Sequence, residues 1–264
     1  MSSGMATTLV VMETEGYRPP GLQDFEFDGL LGTDWLTKPM IQLVIAAILV
    51  IGFWLIAARN VKVVPGKFQY FAEFLYNFIR NSVGRDIVGH EYKKWTPYLV
   101  GVFTFVLLNN WFGEFFFFMY PSFATVGHAY GMALISVIVY VAAGIGAHKL
   151  GFLKAMLIPP GVPKPLMPLI IPMEILSVFI TRPLTLSIRL FANMFAGHLL
   201  VLVFVVGGGY LITVDGNLMY NIAGVFSCII GLAMLCLELF LGGLQAYIFT
   251  ILNGNYIGSS VNEH

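Results

Sequence analysis

One arginine within an apolar run constrains this chain more than any other feature. Arg189 stands in Leu-Ser-Ile-Arg-Leu-Phe-Ala-Asn-Met-Phe, from Leu186 to Phe195. Placing a guanidinium at hydrocarbon depth costs about 3 kcal/mol on insertion scales. A lysine or histidine there escapes by giving up its proton. A guanidinium, with a pKa above about 12, does not. Arg189 must therefore face water, a fixed anion or a path for ions.

That the run lies in a membrane follows from composition. Of 264 residues, 58% are hydrophobic and only 11% charged, whereas soluble domains carry about 25% charged residues. The chain is read as an integral membrane protein. Its net charge is zero, which gives no electrostatic case for a nucleic-acid partner. Cys228 and Cys236 share one apolar run without metal or redox spacing, so they read as small packing hydrophobes.

Residues 1–37 hold no basic segment followed by an apolar stretch, so no cleavable signal peptide is expected. That leader is acidic, with Glu13, Glu15, Asp24, Glu26, Asp28 and Asp34. It reads as an extracytoplasmic segment preceding a single membrane domain over 38–264. The first span runs from Met40 to Ala58, with Trp35 and Trp54 suited to the interface. In the basic stretch that follows, Phe68, Phe71, Ala72, Leu75, Phe78 and Ile79 recur at helical spacing opposite Lys67, Glu73, Asn77 and Arg80. This predicts a membrane-associated amphipathic helix over about 67–82.

Further spans are expected over about 98–119, 129–147, 166–206 and 218–252. The segment 166–206 is treated as one continuous element, and Gly207-Gly-Gly-Tyr as a loop. The fold class is then all-α and polytopic, with five transmembrane helices plus the amphipathic one. Basic residues crowd the loops around 59–97 and 148–167. Those loops should be cytoplasmic, with the N-terminus outside and the C-terminus inside. The last two helices would reach roughly 60 Å and roughly 52 Å, against a hydrocarbon core of roughly 30 Å. They must tilt, kink or overrun the bilayer. As a slanted pair they would form a wall able to flank something round.

Helical angles sort the polar groups. Arg182, Thr185, Arg189 and Asn193 share one face, whereas His198 points away from Arg189 and lies about 13 Å along the helix. Glu238, Gly242 and Gln245 form one stripe on the last helix, where Gly242-Gly243 permits close backbone approach. Glu174 lies about 22 Å before Arg189 if the helix is continuous. Two titratable positions thus flank one permanent charge. His and a partly buried Glu relay protons; an arginine acts only as a fixed charge.

The run Arg182-Pro-Leu-Thr-Leu-Ser-Ile-Arg-Leu-Phe-Ala-Asn-Met-Phe-Ala-Gly-His198 closely resembles the signature of subunit a of F-type ATP synthases. Glu238-Leu-Phe-Leu-Gly-Gly-Leu-Gln245-Ala-Tyr-Ile-Phe is similar to that family's final-helix motif. Leu108-Asn-Asn-Trp-Phe-Gly113 is a looser match to its Asn-x-x-Gly element. The resemblance covers about residues 35–256. It implies a proton-translocating stator subunit in the bacterial plasma membrane, catalytically inactive alone and without cofactors or metals. Its implied partners are the c-subunit ring, peripheral-stalk subunits of b and delta type and the rest of the ATP synthase.

On that resemblance Arg189 is the arginine facing the carboxylate of each passing c-subunit. Asn193, His198, Glu238 and Gln245 line the half-channel open to the outside, with Asn110 and Glu114 nearer its mouth. Glu174 lies on the cytoplasmic half-channel. Several relatives carry an acid where His198 stands and a histidine where Glu238 stands; this chain exchanges the two.

Two other classes stay open to weighing. A self-contained channel or secondary transporter predicts a pseudo-repeat between halves, and none is visible. An intramembrane enzyme or haem subunit predicts paired ligands or a nucleophile with its base. Only His198 lies deep in an apolar segment, and no nucleophile–base pair or metal-ligand cluster is apparent.

Overall fold

The computed structural model describes residues 19–21, 37–59, 61–114, 121–149, 152, 167–213 and 218–262. Most of the acidic leader and the Pro-rich turn from Ile158 lie outside the described residues. Within them, all regular structure is helical: α1 Lys38–Arg59, α2 Lys67–Ile79, α3 Tyr92–Phe112, α4 Val126–His148, α5 Met167–Leu176, α6 Arg182–Thr213 and α7 Leu218–Asn262. A π-helical stretch, Arg80–Val88, joins α2 towards α3, and a second, Ser177–Thr181, joins α5 to α6.

Four of these stretches are long and apolar enough to cross a membrane: Lys38–Arg59, Val126–His148, Met167–Thr213 and Leu218–Val261. The helix α3 is not among them. It carries Lys93 and Lys94 near its start and Asn109 and Asn110 near its end. It stops at Phe112, short of the Met119 expected from the apolar pattern, and 115–120 lie outside the described residues.

The longest helices, α6 and α7, pack together as an antiparallel pair. Their register is read from glycines, because a Cβ at each would strike the partner. Gly208 meets the Gly224 carbonyl oxygen, Gly231 meets Val205, Gly197 meets Glu238, and Gly242 lies beside Met194. The numbers rise on one helix as they fall on the other. At 1.5 Å per residue the 45 residues of α7 extend about 67 Å, so it overruns an upright span.

One sequence expectation is corrected here. Gly207–Tyr210 is not a loop, since α6 continues through it to Thr213. A Cβ on Gly208 would lie 2.9 Å from the Gly224 oxygen and 2.8 Å from Cys228 Sγ. Gly208 therefore serves close helix contact rather than a turn. The 166–206 element is continuous from Met167 to Thr213, with a π-helical stretch at Ser177–Thr181 inside it.

A core of Ile79, Leu99, Val106, Tyr140, Leu186, Leu190, Met194 and Phe249 ties α2, α3, α4, α6 and α7 together. The helix α1 sits at the edge and exposes Val44, Ile48, Leu49, Leu55 and Ile56, as a helix facing lipid does. Its Trp54 is not a free interfacial anchor: Nε1 donates to Thr104 Oγ1 of α3 at 3.2 Å. Phe53 meets Phe68 and Phe71 edge-on, which seats α2 against α1. The outward side of α2 is aromatic, with Tyr70, Phe71 and Phe74 exposed, consistent with an amphipathic helix lying at an interface.

Candidate functional site

The polar residues of the apolar region gather at three levels along α6. At the first, three elements meet. Gly113 follows α3, and a Cβ on it would lie 2.8 Å from Pro121 Cβ. Only glycine lets the chain pass there, and the Glu114 N–H closes the turn by donating to the Trp111 oxygen at 3.0 Å. Glu114 is thereby turned towards α6, where its Oε1 lies 3.9 Å from His198 Nδ1, both side chains buried. Glu238 arrives from α7 with its carboxyl over Gly197 and only 4% exposed. One ligand atom of each of Glu114, His198 and Glu238 lies within 4.8 Å of the others. Neither Glu238 oxygen has a hydrogen-bond partner among the described residues.

One helical turn along α7, Asn110 Nδ2 donates to the Gly242 oxygen at 2.9 Å and Trp111 Nε1 to the Leu239 oxygen at 3.1 Å. Asn110 is thus a tie between α3 and α7 as well as a polar group. Its Oδ1 and the Gln245 Nε2 are buried without a hydrogen bond. Glu238, Gly242 and Gln245 are all buried on one side of α7.

The second level holds Arg189. By the α6–α7 register it stands opposite residues 245–246, yet its side chain is exposed. Among the described residues it makes no ion pair; the ion pairs there are Lys94–Glu91, Arg182–Glu174 and His198–Glu114. Thr185, Ile188, Ala192 and Ala196 share its exposure, so the guanidinium stands on an open strip of small and apolar residues. Asn193, one turn on, is half-buried.

The third level holds Arg182. Its Nη2 lies 3.7 Å from Glu174 Oε1. Its guanidinium sits 5.7 Å from the Tyr140 ring centroid and 5.2 Å from that of Tyr256, within cation–π range. On a regular helix residues eight apart point about 80° from each other. The π-helical turn between them rotates less per residue and brings Glu174 round to Arg182's side. Arginine side chains on helices lean towards the N-terminus, where Glu174 lies.

Residues 40–258 match the family described as ATP synthase A chain. Over 98% of its length the chain is 41% identical to the ATP synthase subunit a of Nocardioides sp., covering 99% of that protein. The chain belongs to the ATP synthase subunit a family. It is also 34% identical to the subunit a of Pseudarthrobacter chlorophenolicus, with 98% of each chain covered. Against that of Acidiphilium cryptum it is 38% identical over 84% of this chain and 87% of the other.

Within this subunit a chain the eight residues singled out in the sequence fall in distinct places. Glu114, His198 and Glu238 come together, Asn110 and Gln245 lie buried beside them on α3 and α7, Arg189 and Asn193 occupy the next level, and Glu174 lies beyond. Three residues were missed: Arg182 as the partner of Glu174, and Tyr140 and Tyr256 as its walls. The only sequence signal was the basic character of Arg182 at the start of the same motif. Spacing shows no metal-ligand cluster, but the fold brings Glu114, His198 and Glu238 together. The grouping is assembled from three helices that sequence proximity does not connect.

Proposed function

We propose that this chain conducts protons as the stator subunit of F-type ATP synthase, through two offset half-channels that flank Arg189 along α6. The observation that carries the reading is the exposed Arg189 guanidinium on the outer side of the α6–α7 wall, without an ion pair among the described residues. A permanent cation there calls for an anion supplied by another chain. The carboxylates of a c-subunit ring meet that need.

In this reading a proton enters from outside by way of Glu114, His198 and Glu238, with Asn110, Asn193 and Gln245 along the route, and neutralises a ring carboxylate. The neutral carboxyl enters lipid, which the ionised form would resist. After nearly a full turn it releases its proton near Glu174 to the cytoplasm. The bare carboxylate is then drawn to Arg189, whose charge also repels any cation crossing directly. A potential of 100 mV supplies about 2.3 kcal/mol per charge, so several protons are coupled to each ATP.

The subunit sits in the bacterial plasma membrane with its N-terminus outside and C-terminus in the cytoplasm. Residues 1–37 form an extracytoplasmic segment. Residues 38–264 form one membrane domain of five crossings, α3 included, with α2 at the interface. Its remaining contacts are with the peripheral stalk.

Membranes carrying Arg189→Ala should assemble the complex but lose proton-driven ATP synthesis. Normal synthesis by that variant refutes the gate. The outer group is tested by exchange: His198→Glu combined with Glu238→His should retain more synthesis than either single change. A double variant no better than the worse single shows that the two do not act as a pair.

A further inference from the structure

The basic stretch between α2 and α3 holds a second set of cations, which the proton route does not use. We propose that Arg80 and Arg85 bind the phosphate of an anionic phospholipid, with the Tyr92 ring as their common support. The Arg80 guanidinium lies 5.9 Å from the Tyr92 ring centroid and that of Arg85 lies 5.5 Å from it, both within cation–π range. Helix type makes this convergence. On an α-helix, residues five apart point about 140° from each other. Both arginines lie in the π-helical Arg80–Val88, whose turns close at the fifth residue and set them on one side. Gly89, at φ 80°, then turns the chain, and Tyr92 at the head of α3 meets both.

Two guanidiniums on one ring repel each other, and their own chain does not neutralise them. Neither forms an ion pair among the described residues. Along this stretch Arg80, Arg85, Lys93 and Lys94 outnumber Asp86 and Glu91. Glu91 is taken by Lys94 at 3.8 Å, and Asp86 makes no ion pair there. Arg85 is exposed and Arg80 half-buried, so an anion can reach both. Each carries five N–H donors in a planar fork, more than one phenol can accept. Such forks match phosphate oxygens in a way that an ammonium, a point charge, does not.

The neighbouring surface selects a lipid over a free anion. Val63 and Val64 ahead of α2, and Phe71 and Phe74 on it, are exposed. Phe78, two residues before Arg80, is also exposed. Apolar side chains turned outward beside basic ones mark an element seated at headgroup level. Acyl chains then cover the valines and phenylalanines while the phosphate meets the guanidiniums. A soluble anion would satisfy the charge but leave that apolar surface in water.

The test uses the intact ATP synthase complex carrying this chain, purified in neutral detergent and stripped of lipid. The probe is a photoactivatable phosphatidylglycerol, with unlabelled phosphatidylglycerol, phosphatidylcholine and inorganic phosphate as competitors. Cross-links should map to α2 and the π-helical stretch after it, and only unlabelled phosphatidylglycerol should suppress them fully. Arg80→Gln and Arg85→Gln should each weaken the affinity roughly fivefold, the worth of one cation at an anionic surface. The double variant should lose the site. Arg59→Gln removes the same charge at the end of α1 and should leave the labelling unchanged. Should the double variant fail to assemble, Arg80→Lys with Arg85→Lys keeps the charge but loses both forks, and should weaken binding by about twofold or more. Unchanged affinity in the variants, or suppression by phosphatidylcholine or inorganic phosphate as strong as by phosphatidylglycerol, overturns the site. Cross-links that fall on a peripheral-stalk subunit instead of this stretch also overturn it, since another protein then covers the arginines.

Discussion

Two arginines seven residues apart on one helix live in opposite surroundings. Arg182 and Arg189 differ by nearly two full turns and so start from nearly the same side of α6. Arg182 is half-buried, paired with Glu174 and walled by Tyr140 and Tyr256. Arg189 is exposed and has no such partner among the described residues. Neighbouring elements account for the difference. At the lower level α4, α5 and the far end of α7 close over the guanidinium. Two turns on, the facing stretch of α7 holds the buried Gln245 and Ala246, and among the described residues no ion pair or ring contact covers Arg189. The same residue type is a locked strut in one place and an open charge in the other. A fixed cation becomes available to a moving partner only where its own chain declines to neutralise it.

The comparison breaks or holds most decisively on paired substitutions. Arg189→Gln should lose coupled ATP synthesis outright. Arg182→Gln should retain a measurable part, because its loss frees Glu174 from an ion pair but leaves the outer charge in place. Synthesis rates in membrane vesicles decide it. If Arg182→Gln is as inactive as Arg189→Gln, the two levels are not functionally distinct.

A second effect, smaller and confined to stability, concerns the wall that holds both arginines in register. Gly208 and Gly224 face each other, and a Cβ on Gly224 would lie 2.7 Å from the Gly208 oxygen. Backbone oxygens cannot rotate away, so the helices must part. Gly208→Ala or Gly224→Ala should each cost about 1–3 kcal/mol, as overpacked cores do. The measurement is thermal dissociation of the subunit from the complex. Gly209→Ala is the control, since nothing lies within 4 Å of the position its Cβ would take. Equal loss in all three would mean that glycine is needed there for backbone freedom rather than for contact.

Much of this arrangement is legible in the sequence, and the failures share a cause. Arg189's isolation follows from its charge and its apolar neighbours, and the opposed directions of Arg189 and His198 follow from a period of 3.6. The buried stripe of Glu238, Gly242 and Gln245 follows in the same way. What periodicity does not carry is a change of helix type. The π-helical Ser177–Thr181 shifts the phase between Glu174 and Arg182, so an α-helical count sets them apart while the fold brings them together. Composition misleads at Gly207–Gly209, because a run of glycines signals either a turn or a close contact. Only the facing Gly224 tells which. Trp54 misleads similarly, since an indole near a helix end suits an interface as well as a hydroxyl on the next helix. The gathering of Glu114 with His198 and Glu238 depends on three distant segments, and no spacing rule reaches across them.

The smallest expected effect probes how Arg182 is held. Two rings face its guanidinium, and the nearer, Tyr256 at 5.2 Å, also packs against Tyr140 with centroids 5.8 Å apart. If the ring face supplies the attraction, Tyr256→Phe keeps it and should be close to neutral. Tyr256→Leu removes it and should cost about 0.5–2 kcal/mol, the range of a cation–π contact from exposed to desolvated. The Glu174 ion pair has a different signature. Its partners are 27% and 30% exposed, so salt screens it, whereas the short-range contact with the tilted rings is screened much less. Thermal dissociation of the complex at low and high ionic strength therefore separates the two contributions. The Tyr256→Leu loss should persist in high salt, and the loss from Glu174→Gln should shrink. A Tyr256→Phe variant as damaged as Tyr256→Leu would show that the hydroxyl, not the ring, holds the strut in place.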